Sequence, residues 1–161
     1  MKLKIVLLIS FCLLTLSIRS QNVEMVKFPF VETILKNNSD TTYVINFWAT
    51  WCKPCVKELP DLEKLNEKYS GKKVKVILVS LDFKRQYETN LIPYVSKNKL
   101  QSQVVLLDEP DYNSWIDKVD KSWGGAIPVT LVINNHKKFR HFFQKEITFE
   151  ELEKTIKPII N

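Results

Sequence analysis

The sequence predicts an α/β fold: a mixed central sheet flanked by helices on both faces. Three observations support it. Short apolar runs of strand length alternate with segments of helical period. Two of these runs, residues 43–48 and 74–81, are almost continuously apolar, the pattern of strands covered on both sides. The chain then closes with a hairpin and a helix, which adds antiparallel strands to an otherwise parallel sheet.

The elements follow in order. Residues 30–36 read as a short helix ended by Asn37, Asn38, Ser39 and Asp40. After the strand at 43–48, the residues Val56, Leu59, Leu62, Leu65 and Tyr69 recur at helical spacing over 54–69, and Gly71 closes that helix. Pro54 suits its first turn, where the missing N–H has no intrahelical partner, whereas Pro60 lies inside, removes the bond to the Val56 carbonyl and should bend the helix. The strand at 74–81 is followed by a helix at 87–97 with Pro93 as a bend, a strand at 104–107, and a helix at 111–121 with Asp111 as its cap. Strands at 128–133 and 138–144 form a hairpin about a tight turn at Asn134 and Asn135. Thr148, Phe149, Glu150 and Glu151 form a capping box opening the last helix, which carries Leu152, Ile156 and Ile159.

Composition narrows the function. The 161 residues suit one domain, and 45% hydrophobic with 26% charged residues sets aside disorder and low-complexity structure. The N-terminus, MKLKIVLLISFCLLTLSIRSQ, pairs two lysines with an apolar run and then small or polar residues, the layout of a secretory signal peptide over residues 1–20. The run is shorter than the roughly 20 residues a membrane span needs, and the expected cleavage follows Ser20, with Ser17 as the alternative. Without Lys2, Lys4 and Arg19 the formal charge falls from +6 to +3, too weak to indicate nucleic-acid binding. Cys12 lies in the apolar run with the bulky Phe11 before it, which argues against lipid attachment.

The expected mature domain, residues 21–161, keeps only Cys52 and Cys55. An exported chain with one vicinal pair points to redox chemistry. Cys52 stands at the start of a helix, where free N–H groups and the positive dipole end favour a thiolate, so it is the expected nucleophile. Lys53 adds a cation, and Cys55, one turn further in, is suited to resolving a mixed disulfide. Two other uses of the pair compete. A fixed structural disulfide over so short a loop would constrain little chain entropy. A zinc site completed by His136 and His141 would need ligands about 80 residues away, without a second cysteine pair, so no metal is expected.

The segment from Asn46 to Cys55 (NFWATWCKPC) resembles the active-site segment of the thioredoxin superfamily, and Gly125 to Thr130 (GAIPVT) resembles its cis-proline loop. The sequence between them, roughly residues 84–123, exceeds a minimal thioredoxin. With the signal peptide and the Trp-Cys-x-Pro-Cys form, it is similar to the insertion of the exported TlpA/ResA-like branch. The resemblance implies a thioredoxin-like fold with that insertion between the active-site half and the cis-proline half. It also implies substrate contact at Trp51, Lys53, Pro54, Ile127 and Pro128, with Ile127–Pro128 cis and the Ile127 backbone opposite Cys52. Glu58 matches a glutamate that tunes or shuttles thiol protons in ResA-like proteins; its plainer reading is a solvated helix residue. Asn46 stands where thioredoxin carries a buried aspartate, which leaves Glu58 or water as the proton acceptor.

Trp48, Trp51 and Trp123 are candidates for an apolar substrate platform, with core packing the better reading of Trp48. Asp82 ends a strand where α/β sites gather, and capping explains it equally well. The expectation is a periplasmic or otherwise exported thiol:disulfide oxidoreductase that reduces specific protein disulfides, apocytochrome c among the examples, fed by a membrane-bound electron donor. It needs no cofactor beyond the Cys52–Cys55 redox disulfide. An oxidase or isomerase, and a non-catalytic thioredoxin-like binding module, are the alternatives. A peroxidase is disfavoured because Thr50 precedes Cys52 by two residues rather than three.

Overall fold

The computed structural model describes residues 22–160. The expected signal peptide, its cleavage site and Cys12 lie outside the described residues. The elements are β1 (Glu24–Val26), α1 (Phe28–Leu35), β2 (Thr42–Trp48), α2 (Lys53–Lys68), β3 (Val74–Ser80), α3 (Ile92–Lys97), β4 (Gln103–Leu107), α4 (Ile116–Val119), β5 (Val129–Asn134), β6 (Phe139–Phe143) and α5 (Phe149–Ile160). Six strands form one sheet in the order β1-β4-β3-β2-β5-β6. The first four run parallel to one another, and β5 and β6 join antiparallel.

The near-continuous apolar runs have the predicted consequence. Every residue of β2 is buried, because alternate side chains enter two different cores. Val44 and Trp48 pack with Cys55, Leu59, Leu62 and Leu65 of α2 and with Leu152 and Ile156 of α5. Ile45 and Phe47 face the other way, toward Phe28 and Val31 of α1 and Val119 of α4. Asn46 lies between Val44 and Trp48 in the strand and so on the α2 face.

Helix α2 begins at Cys52, whose extended backbone and sulfur cap the first turn by accepting from the Cys55 N–H. It runs on through Pro60, which sits on the exposed side, so the lost backbone bond does not end it. Gly71 beyond the helix adopts φ +74°, a backbone region that disfavours other residues. At α5 the capping box is present: Thr148 Oγ1 accepts from the Glu151 N–H, and the Glu151 carboxylate accepts from the Thr148 N–H.

Four expectations are corrected. The helix foreseen at 111–121 is a 3-10 turn (Tyr112–Ser114) followed by the single-turn α4, and the Asp111 side chain does not cap it. The break falls at Trp115, whose φ of −137° leaves helical geometry and lets its ring stack on Phe28 and Phe47. The hairpin turn lies at residues 135–138, with Lys138 N–H donating to the Asn135 carbonyl, because Asn134 stays in β5 and donates to Thr42 Oγ1. The first part of the helix expected at 87–97 is a π-helical turn (Tyr87–Leu91), and only α3 after it is α-helical. Finally, β1 was not foreseen: three residues are too few for a periodic signal, and the strand exists only because the edge of β4 receives it.

Candidate active site

The site forms where β2 hands the chain to α2. Cys52 and Cys55 are joined as a disulfide with 5.3 Å between their Cα atoms. Cys52 is 7% exposed and Cys55 is fully buried, so the pair offers one sulfur to the outside and keeps the other behind it. Ile127–Pro128 is a cis peptide, and the Ile127 carbonyl oxygen lies 3.8 Å from Cys52 Sγ. The resemblance placed the Ile127 backbone opposite Cys52, and the geometry places it there.

The turn before Cys52 is closed by the Cys52 N–H donating to the Ala49 carbonyl at 3.1 Å. Asp82, just after β3, is buried and holds this turn from the side. Its carboxylate accepts from the Thr50 N–H at 3.0 Å and from the Thr50 hydroxyl at 2.5 Å, and Ser80 Oγ donates to it at 2.7 Å. Asp82 therefore serves neither simply as a helix cap nor as an open site residue; it anchors Thr50. No sequence signal indicated this, since the contact joins residues 32 apart.

Glu58 is 1% exposed, and its reading as a solvated helix residue does not hold. It sits one turn after Cys55. Asn46 Nδ2 donates to its Oε1 at 2.7 Å, and the Ile147 N–H donates to its Oε2 at 2.8 Å. Burial pushes its pKa up from the usual carboxylate range to about 7. The two N–H donors pull the other way, while Glu146 and Asp61 add a small upward push. Lys57 pairs with Glu146 at 2.5 Å.

The three tryptophans separate. Trp48 is fully buried against Tyr94, and Trp51 is 52% exposed. Trp123 is not part of an exposed platform: it is buried between Phe47 and Trp115, and its Nε1 donates to the Ala126 carbonyl, bracing the loop that leads to Pro128. Lys53 and Pro54 are exposed beside Cys52, and Pro128 is buried. A groove of about 300 Å³ runs between Trp51, Leu81, Tyr112, Ile116 and Ile127. Gly125 borders it with φ +85°, and a Cβ there would meet Ile116 Cδ1 at 3.3 Å. A larger groove of about 800 Å³ lies between α2 and the end of α3 and includes neither cysteine. His136 and His141 are exposed, and among the described residues no three His, Cys, Asp or Glu side chains converge on a metal position.

The family model described as the AhpC/TSA family matches residues 21–142. The chain is 32% identical over 131 residues to the thiol-disulfide oxidoreductase ResA of Bacillus thuringiensis, covering 78% of this chain and 67% of that protein. Among solved structures it is similar to a thioredoxin-related protein of Neisseria meningitidis serogroup B (TM-score 0.64, 20% identity, 73% of this chain and 84% of that one). It is also similar to a secreted thiol-disulfide isomerase of Corynebacterium glutamicum (TM-score 0.62, 21% identity, 75% and 71% covered). These two likenesses carry the fold, a thioredoxin-like mixed six-stranded sheet. The chain belongs to the AhpC/TSA thioredoxin-like family and is a thiol-disulfide oxidoreductase of the ResA kind, with Cys52 and Cys55 as its CxxC pair.

Proposed function

We propose that this oxidoreductase works outside the cytoplasm as a reductase of protein disulfides, with residues 1–20 removed as a signal peptide and 21–161 forming the working domain. The observation that carries the reading is the asymmetry of the pair: Cys52, at a helix N-terminus, keeps 7% exposure, and Cys55 keeps none. The Cys52 thiolate attacks one sulfur of a substrate disulfide. A bond forms between Cys52 and that sulfur, and the second substrate sulfur leaves as a thiolate that takes a proton from water. Cys55 then gives its proton to the Glu58 carboxylate and attacks Cys52 Sγ. The first substrate sulfur leaves, the Cys52–Cys55 disulfide forms, and two electrons have passed to the substrate. A membrane-bound dithiol donor restores the pair.

Trp51, Lys53, Pro54, Ile127 and Pro128 are the proposed substrate contacts. Exposed Trp51 and the groove beside it fit apolar side chains flanking a substrate cysteine, and the Ile127 backbone fits an extended substrate segment. The substrate class includes the disulfides of apocytochrome c.

The deciding experiment couples an assay with a potential. The protein should speed insulin reduction by dithiothreitol, and Cys52→Ser should abolish that activity. Wild type and variant equally inert on several disulfides would replace catalysis with a binding role. A Cys52/Cys55 potential near thioredoxin's, about −270 mV, fits a reductase, and one near about −120 mV would overturn it in favour of an oxidase or isomerase.

A further inference from the structure

Asn46 meets Glu58 from below, out of the central strand. It is fully buried, and its Nδ2 lies 2.7 Å from Glu58 Oε1, 2.9 Å from Thr130 Oγ1 and 3.3 Å from the Val129 carbonyl. Its Oδ1 is buried and has no hydrogen-bond partner. An amide with a crowded donor end and an empty acceptor end is costly in a core, where unpaired polar atoms lose their hydration. Its place beside the buried Glu58 carboxyl, one helical turn after Cys55, gives that arrangement a use.

We propose that Asn46 is a positioning residue that sets the proton affinity of Glu58, the buried carboxyl that takes the Cys55 proton. The inference rests on the proton-acceptor role proposed for Glu58. Both N–H groups on the carboxyl, from Asn46 and Ile147, can only donate, so they favour the ionised form against the opposing effect of burial. Once Glu58 is protonated, its O–H needs an acceptor. A half-turn of the Asn46 amide supplies one, since it exchanges Nδ2 for the unpartnered Oδ1; it gives up the long 3.3 Å bond to the Val129 carbonyl, which can only accept, while the Thr130 hydroxyl turns to donate. Asparagine thus serves both protonation states of its neighbour. Leucine would serve neither, and aspartate would place a second acid in hydrogen-bond contact with the first, so that the two would titrate as a coupled pair.

The other groups around Glu58 do not duplicate this control. Its own helix contributes Asp61 and Lys57, the segment before α5 contributes Glu146, and Lys57 and Glu146 pair with each other. Strands β2 and β5 offer Glu58 only neutral partners, Asn46 and through it Thr130.

The test uses the disulfide form, where the cysteines do not titrate. Carbon-13 NMR of the Glu58 carboxyl is recorded against pH in wild type, Asn46→Leu and Asn46→Asp, alongside the pH profile of kcat/KM for insulin reduction in these proteins and Glu58→Gln. In Asn46→Leu the Glu58 titration should move upward by about one pH unit, a tenfold rise in proton affinity, and the acid limb of the profile should follow it. In Asn46→Asp the near-isosteric side chain preserves the fold, and the single titration should become two steps separated by more than a unit. A Glu58 titration in both variants that matches wild type, with the Glu58→Gln profile still altered, overturns the role of Asn46 and leaves that of Glu58 standing. A Glu58→Gln profile identical to wild type removes the Glu58 reading itself.

Discussion

The Thr50 backbone N–H and hydroxyl both end on the Asp82 carboxylate, at 3.0 and 2.5 Å, and so tie the turn that enters Cys52 to the end of β3. Leu81 N–H reinforces the tie by donating to the Trp48 carbonyl at 2.8 Å. The entry to the reactive cysteine is thus held by two neighbouring strands rather than by the helix it opens.

Asp82→Ala leaves two part-buried Thr50 donors without their protein partner, and the loss of each such hydrogen bond costs about 0.5–1.5 kcal/mol. The expected result is a lower urea midpoint together with faster hydrogen exchange at the Thr50 amide, while the exchange of β5 and α5 amides changes only with global stability. Thr50 exchange no faster than that of the surrounding core in the variant would sink the idea that Asp82 anchors this turn.

Glu58 makes stability fall with rising pH. Its folded pKa, about 7, lies above the ordinary glutamate value of 4.5, so between those values the folded protein binds more protons than the unfolded chain. Its contribution is complete below pH 4.5 and is lost as pH rises through 7. Full expression of the shift amounts to about 3 kcal/mol. Urea unfolding at pH 4.5 and pH 8 should therefore show wild type losing more stability than Glu58→Gln over that interval. Parallel pH dependences in the two proteins would contradict the raised pKa.

Trp51 is 52% exposed and Tyr112 41%, an unusual exposure for two aromatic rings lining one groove beside a reactive sulfur. If substrate side chains cover them, Trp51→Ala and Tyr112→Ala should each raise KM for insulin about 3- to 10-fold, the effect of losing about 1 kcal/mol of apolar burial. Turnover of a small aromatic disulfide that leaves the groove empty should be unchanged. An equal effect on both substrates would move these residues from recognition to loop structure.

The capping box at Thr148 predicts a purely structural variant. Thr148→Ala removes the acceptor for the Glu151 N–H and should cost about 1 kcal/mol in urea unfolding, with the Cys52/Cys55 potential unmoved. A shift in potential would show that α5 communicates with the site, a coupling with a physical route through Ile147 and Glu58.

Much of the site was legible because its chemistry is local. The thiol at a strand-to-helix junction, Pro54 in the first helical turn and Cys55 one turn deeper all lie within one short window, and their burial follows from the helical period. Trp123 misled because an indole next to glycines has the same local signature whether it faces substrate or Phe47. The helix at 111–121 misled for a related reason: the demand of Trp115 for a place among Phe28, Phe47 and Trp123 outweighed the helical tendency of its own segment.

By itself the sequence determined the alternation of elements, the two-sided burial of β2 and β3, the start of α2 at Cys52 and the order of the two thiols, since each depends on periodicity or on backbone groups a few residues apart. Only the tertiary structure decided what surrounds them. Asp82 reaches Thr50 across 32 residues, Thr130 reaches Asn46 across 84, and the Ile147 N–H reaches Glu58 across 89. Hydrogen bonds over such spans leave no periodic mark on the chain. They appear when strand order brings β3 and β5 alongside β2, and when burial removes the water that would otherwise have satisfied Glu58.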